Sequence, residues 1–158
     1  MPDPYWRDVT ALIPQLRAYA IALTRSSTDA DDLVQETLTR AWRFRDGFDG
    51  ANLKAWLFKI LRNRFHTEIA SRKSVVQDVE GRAAAQLSCG PEQDWFMRYQ
   101  ELLTAIARLT PLSREALLLV VASGLTYEEA AQVTGCAIGT MKSRVNRART
   151  HLAELTDL

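Results

Sequence analysis

Leu125-Thr126-Tyr127-Glu128-Glu129-Ala130-Ala131-Gln132-Val133-Thr134-Gly135, followed by Cys136-Ala137-Ile138-Gly139-Thr140-Met141-Lys142-Ser143-Arg144-Val145-Asn146-Arg147-Ala148-Arg149, decides the fold. Thr126 with Glu129 three residues later has the form of a capping box, which opens a short helix. Gly135 closes it, because glycine enters the left-handed conformation that ends helices at no steric cost. A longer helix then runs from about Gly139 to Leu155. On a helical wheel Met141, Val145, Ala148, Leu152 and Leu155 fall on one apolar stripe. Lys142, Ser143, Asn146, Arg147 and Thr150 share the opposite face. A capped short helix, a glycine turn and a basic helix make a helix-turn-helix unit, whose exposed donors suit phosphates and base edges in a major groove. The bland alternative is a solvated helix that happens to be basic. The preceding turn and the lack of acids from Gly139 to Arg149 weigh against it. Cys136 falls where the turn must pack inward and is expected to be a buried structural thiol.

Upstream the pattern is helical throughout. Leu12, Leu16, Tyr19 and Leu23 recur at amphipathic-helix spacing. Ser26-Ser27-Thr28-Asp29 offers N-cap chemistry for a second helix carrying Leu33, Val34, Thr37, Leu38, Ala41 and Trp42. Asp46-Gly47-Phe48-Asp49-Gly50 reads as a loop. A third helix runs from about Asn52 to Ser71. The segment from Val75 to Gln93 loses periodicity and reads as a flexible linker with a short helix around Gly81 to Leu87. Trp95 to Leu109 is helical again. Thr110-Pro111 supplies a cap and a first-turn proline for a helix that Gly124 closes. The expected fold is all-α: two small helical domains, 1–75 and 94–158, joined by a linker at 76–93. The second domain contains the helix-turn-helix.

The chain has 158 residues and a formal net charge of +1. Taken as one number, that total argues against a nucleic-acid partner, but its distribution does not. Asp29 to Glu36 holds four acids and no base, Leu53 to Lys73 holds six bases against Glu68 alone, and Gly139 to Arg149 holds four bases and no acid. No apolar run approaches the ~20 residues of a membrane span, and the N-terminus lacks a secretory signal. A cytoplasmic protein is expected. Cys89, Cys136, His66 and His151 lack zinc-ligand spacing, so no metal is expected. No carboxylate pair, nucleophile–base set or glycine-rich phosphate loop stands out. Neither an enzyme nor a cofactor site is expected.

On the third helix Trp56, Leu57, Phe58, Ile60, Leu61 and Phe65 form an apolar arc. Lys59, Arg62, Asn63 and His66 cluster opposite it. Beside the loop at Phe48, this face suits a site that tracks a nucleic-acid backbone and reads extruded bases, as in single-stranded DNA. A solvated basic face is an equal reading of these residues alone. The acids of the second helix favour its macrodipole. They cannot face phosphates, so in a DNA-binding protein they turn toward a basic protein partner.

At these residues a family resemblance emerges. Asp31-Asp32-Leu33-Val34-Gln35-Glu36-Thr37 with Arg40-Ala41-Trp42 resembles the core-polymerase-binding helix of extracytoplasmic-function sigma factors. Leu53 to Asn63 resembles their −10 recognition segment. Leu125 to Ala131 with Gly139 to Arg144 resembles their −35-reading helix-turn-helix. The resemblance spans roughly residues 8–75 and 94–156. Where the broad family has isoleucine and a serine or threonine cap, this chain has Cys136 and Ala137. Gly135 to Gly139 with Lys142 to Arg149 resembles the alphaproteobacterial general-stress-response subgroup.

The resemblance implies that Asp31, Asp32, Leu33, Gln35, Glu36, Leu38 and Arg40 dock on core RNA polymerase. It implies that Phe48, Asn52, Lys59, Arg62, Asn63 and His66 melt and hold the −10 strand. It implies that Thr140, Lys142, Ser143, Arg144, Asn146, Arg147 and Arg149 meet the −35 duplex, with Arg144 and Arg149 on phosphates or in packing. An anti-sigma factor, in this subgroup a small soluble protein displaced by a response regulator with a sigma-like domain, is the implied regulator. Two other readings stay open: a sigma-mimicking adaptor that binds the anti-sigma without DNA, and a stand-alone helix-turn-helix regulator.

Overall fold

The structure is a computed structural model and describes residues 3–73 and 93–156. The expected linker, its short helix and Cys89 lie outside the described residues. Every described element is a helix or a turn between helices, with no strand among the described residues. The chain forms two units.

The first unit contains α1 (Pro4–Ala11), α2 (Ile13–Thr24), α3 (Ser27–Arg43), a 3-10 turn (Arg45–Gly47) and α4 (Leu53–Lys73). The amphipathic stripe from Leu12 to Leu23 is α2, and a separate helix precedes it. The signal for α1 was local: the Asp3 carboxylate accepts from Tyr5 N at 3.1 Å, and Pro4 occupies the first turn. Ser26 Oγ accepts from Asp29 N and so caps α3. Before it, Arg25 ends α2 in the left-handed region at φ 56°. Leu16, Tyr19 and Ala20 of α2, Leu33, Val34, Thr37 and Ala41 of α3, and Leu57, Phe58 and Leu61 of α4 make the core. Each large apolar side chain there contributes roughly 1.5–3 kcal/mol by leaving water. Tyr19 and Phe58 meet at 5.3 Å between ring centres. The buried hydroxyl of Thr37 donates to Leu33 O at 2.7 Å, as a polar group inside a helix must.

From residue 93 onward the described chain contains α5 (Gln93–Arg108), α6 (Pro111–Leu117) with a π-turn (Leu118–Ala122), α7 (Tyr127–Thr134) and α8 (Ile138–Thr156). Thr110 Oγ1 accepts from Ser113 N, as its place before Pro111 predicts. The helix widens before it ends: Ser123 N reaches back to Leu118 O at 2.9 Å, and Gly124 turns the chain at φ 70°. Leu109, Leu117 and Ala148 form a buried cluster, with Ile106 and Leu152 packed on it. No described helix is long and apolar enough to cross a membrane.

Candidate functional site

The helix-turn-helix is built as its sequence specifies. Thr126 Oγ1 accepts from Glu129 N at 3.1 Å, and the Glu129 carboxylate accepts from Thr126 N at 3.2 Å. Gly135 closes α7 at φ 72°, donating to Ala131 O at 2.8 Å. Cys136 N also donates to Ala131 O, at 3.1 Å. The Cys136 side chain is half-buried rather than buried, so the turn packs inward less deeply than expected. Ala137 O accepts from Met141 N and thereby opens α8 through backbone alone.

Met141, Val145 and Ala148 are fully buried, and Leu152 and Leu155 half-buried, which confirms the apolar stripe of α8. Thr140, Lys142, Ser143, Asn146, Arg147 and Arg149 are exposed, whereas Arg144 is half-buried. None of Lys142, Arg144, Arg147 and Arg149 has an ion pair among the described residues. Lys142 Nζ stands 5.7 Å from the centre of the Tyr127 ring, a cation–π contact at the start of α7. Four cations without a carboxylate partner within one helix make a surface ready for phosphate oxygens.

The loop before α4 and the α4 face form a second surface. Lys59, Asn63 and His66 are exposed and Arg62 is half-buried, on the side away from Leu57, Phe58 and Leu61. Two expected readers turn out to do structural work as well. Asn52 Oδ1 accepts from Ala55 N at 2.9 Å, so Asn52 caps α4 and its carbonyl oxygen is committed. Phe48 is half-buried between Trp56 at 5.1 Å and Tyr5 at 6.2 Å. It therefore anchors the loop rather than offering a free ring face. Tyr5 O–H donates to Ala41 O at 2.9 Å, and burial pushes this hydroxyl above the ordinary phenol value.

The acidic helix α3 is less open than its sequence suggests. Asp31 accepts from Arg17 Nε at 2.8 Å. Glu36 pairs with Arg40 at 3.1 Å and with Arg64 of α4 at 3.7 Å, and Arg64 also reaches Glu68 at 3.6 Å. Glu36 and Arg40 thus satisfy one another, and Arg64 ties α3 to α4. Asp32 is exposed and has no ion pair among the described residues. Gln35 is exposed and Leu38 half-buried. Leu33 is 1% exposed, so it belongs to the core and drops out as a contact for any partner. Its neighbours in sequence alternate around the helix, and a run read as one motif is split by the 3.6-residue turn.

Sequence reasoning missed Arg64, Arg114, and Trp6 with Trp42 as a pair. Trp6 and Trp42 meet edge to face at 5.4 Å, and Arg45 lies 4.6 Å above Trp42. No local signal joins residues so far apart in sequence.

Residues 9–75 match the family model of Sigma-70 region 2, and residues 99–152 match that of Sigma-70, region 4. The chain is 49% identical to the ECF RNA polymerase sigma factor EcfG of Rhodopseudomonas palustris, over 98% of this chain and 86% of that protein. It is similar to the sigma factor RpoE in its co-crystal with the anti-sigma factor NepR from Bartonella quintana. There the TM-score is 0.83 and the identity 42%, over 98% of this chain and 97% of that one. In fold alone it is similar to the anti-anti-sigma factor PhyR of Bartonella quintana, with a TM-score of 0.60 at 17% identity over 94% of this chain and 49% of that one.

Proposed function

Since this chain belongs to the sigma-70 family as an extracytoplasmic-function sigma factor, we propose that it binds core RNA polymerase and directs promoter-specific initiation under an anti-sigma factor. The observation that carries the DNA-binding half is α8: a buried stripe on one side and, on the other, cations without an ion pair among the described residues. Lys142, Ser143, Asn146 and Arg147, with Thr140 at the helix start, meet −35 base edges, while Arg144 and Arg149 meet phosphates. Lys59, Arg62, Asn63 and His66 track the −10 strand, with the loop held by Phe48 and Asn52 beside them. Asp32, Gln35 and Leu38 present α3 to polymerase, while Asp31, Glu36 and Arg40 shape that face through their own pairs. Stress-response genes as targets follow from the likeness of Gly135 to Arg149 to the general-stress subgroup. The work is done by domains 1–75 and 94–158 joined at 76–93, an assignment that the two matched ranges support.

The protein acts by binding, in the cytoplasm with its polymerase, and uses no cofactor or metal. A sigma-mimicking adaptor shares this fold, so fold alone does not separate the two readings. Both basic faces and the identity to EcfG favour the sigma factor. Run-off transcription with purified core polymerase decides between them. A holoenzyme that initiates at a stress promoter is expected. A chain that binds the anti-sigma but supports no transcript is the adaptor.

A further inference from the structure

The loop that leads into α4 is held at both ends, and one of the holds comes from α1. Phe48 N donates to Arg45 O at 3.1 Å, while Asn52 fixes the far end by capping α4. Between them Asp49, Gly50 and Ala51 are exposed. Ala51 N donates to Asp49 Oδ1 at 2.9 Å, and Gly50 turns the chain at φ 82°, so the tip takes its shape from its own bonds. The near end takes its position from α1. The Tyr5 ring lies 6.2 Å from that of Phe48, which lies 5.1 Å from that of Trp56. Tyr5 Oη donates to Ala41 O at 2.9 Å, in the last turn of α3, where carbonyls run out of helical donors. The Asp3 carboxylate serves twice. One oxygen caps α1 by accepting from Tyr5 N at 3.1 Å, and the other faces Arg45 at 3.6 Å.

Val9 is fully buried and seats α1 on its unit, so these contacts start from a fixed platform. The exposed Asp3–Arg45 pair contributes little alone. The aromatic row from Tyr5 through Phe48 to Trp56 carries more, because ring contacts add to the area they bury. A loop ordered before its ligand arrives has less freedom to lose on binding, and binds more tightly for it. We infer that Asp3 and Tyr5 are positioning residues for −10 recognition: α1 braces Phe48 and thereby presents the tip, residues 49–51, to the unpaired strand. This rests on the assignment of the α4 face and its loop to the −10 strand, and adds to it the element that holds the loop. Asp3 and Tyr5 precede the residues matched to Sigma-70 region 2, which begin at 9, so the brace lies outside the matched range.

The test uses holoenzyme assembled from the full chain and core polymerase. It measures affinity for a single-stranded −10 oligonucleotide and its single-base variants, with affinities for a −35 duplex and for core polymerase beside it. Tyr5→Ala is expected to weaken strand binding ~10-fold and to flatten the preference at one base, leaving the other two affinities unchanged. Tyr5→Phe, which keeps the ring, should recover most of the loss. Phe48→Ala should show the same defect, and adding Tyr5→Ala to it should cost nothing more, because both act through one contact. A fall in all three affinities together marks a merely structural role and overturns the inference. Asn63→Ala separates the brace from the site it serves. An impaired Asn63→Ala, with wild-type strand affinity and preference in Tyr5→Ala, overturns the brace while the −10 assignment stands. Wild-type strand binding by both variants overturns the assignment and the brace with it. Should Tyr5→Ala fail to fold, Asp3→Asn combined with Tyr5→Phe keeps the cap and the ring but removes the ion pair and the hydroxyl. Faster amide hydrogen exchange at residues 45–52, with exchange in α4 unchanged, supports the brace; unchanged exchange at those residues overturns it.

Discussion

Arg114 and Arg147 lie in the same unit and do opposite work. The Arg114 guanidinium is half-buried and donates to Ile106 O at 3.2 Å, Ala107 O at 2.9 Å and Leu109 O at 3.0 Å. Those carbonyls lie at the end of α5; Ile106 O also accepts from Leu109 N at 3.1 Å, and the planar Arg114 side chain gathers all three. Arg114→Ala is expected to destabilise the protein by ~1.5–3 kcal/mol, read by urea unfolding, because it removes three charge-assisted bonds at a half-buried helix end. Arg114→Lys should recover only part, since an ammonium cannot fork. Arg147, exposed and without an ion pair among the described residues, should leave stability alone. Arg147→Ala is expected to weaken −35 duplex binding by ~1–3 kcal/mol and relax preference at one base position. Unchanged affinity and preference would remove it from the base-reading set. From sequence the two arginines look alike; what separates them is whether a helix end stands opposite, and that is a tertiary fact.

Among the helices, what was legible is what short spacing encodes. The capping box of α7, the glycine after it and the Ser26 and Thr110 caps all join residues two to four apart, and each is realised. The apolar stripe of α8 follows from the same local geometry. What escaped is where helices meet: the Arg64 tie from α4 to Glu36, the π-turn after α6, and the loop anchored by Phe48. At the site, periodicity placed Lys142 and Arg147 of α8 on the exposed side. It could not foresee that Asp31 and Glu36 would be paired. The start of α8 carries a deficit that the sequence also displays. Ala137 opens it with a backbone carbonyl and no side-chain acceptor. Ala137→Ser is expected to raise stability by ~0.5–1 kcal/mol, and Thr126→Ala to lower it by ~1 kcal/mol, both read as shifts in thermal midpoint.

For the molecule as a whole, the two surfaces assigned to DNA and the one assigned to polymerase have opposite charge, and together with the acids elsewhere in the chain they come to a total of only +1. Asp32→Lys is expected to impair polymerase binding without changing affinity for an isolated −35 duplex. Loss of both together would mean a misfolded variant or a mistaken assignment. Weak nonspecific affinity of the free chain for DNA is also expected, since that component grows with the number of phosphates neutralised. Its salt dependence, followed by titration, should be shallow beside that of a strongly basic repressor.

The bare cations of α8 have a second consequence, felt by the helix itself. Lys142, Arg144, Arg147 and Arg149 sit within eight residues, and one pair of them, Arg144 and Arg147, has the three-residue spacing at which like charges repel by ~0.2–0.5 kcal/mol. Free of DNA, that pair repels with no carboxylate paired to it among the described residues. A polyanion such as heparin should raise the melting temperature of the free protein, and moderate salt should act in the same direction. A helix kept ready for phosphate is, until phosphate arrives, a self-loosened one.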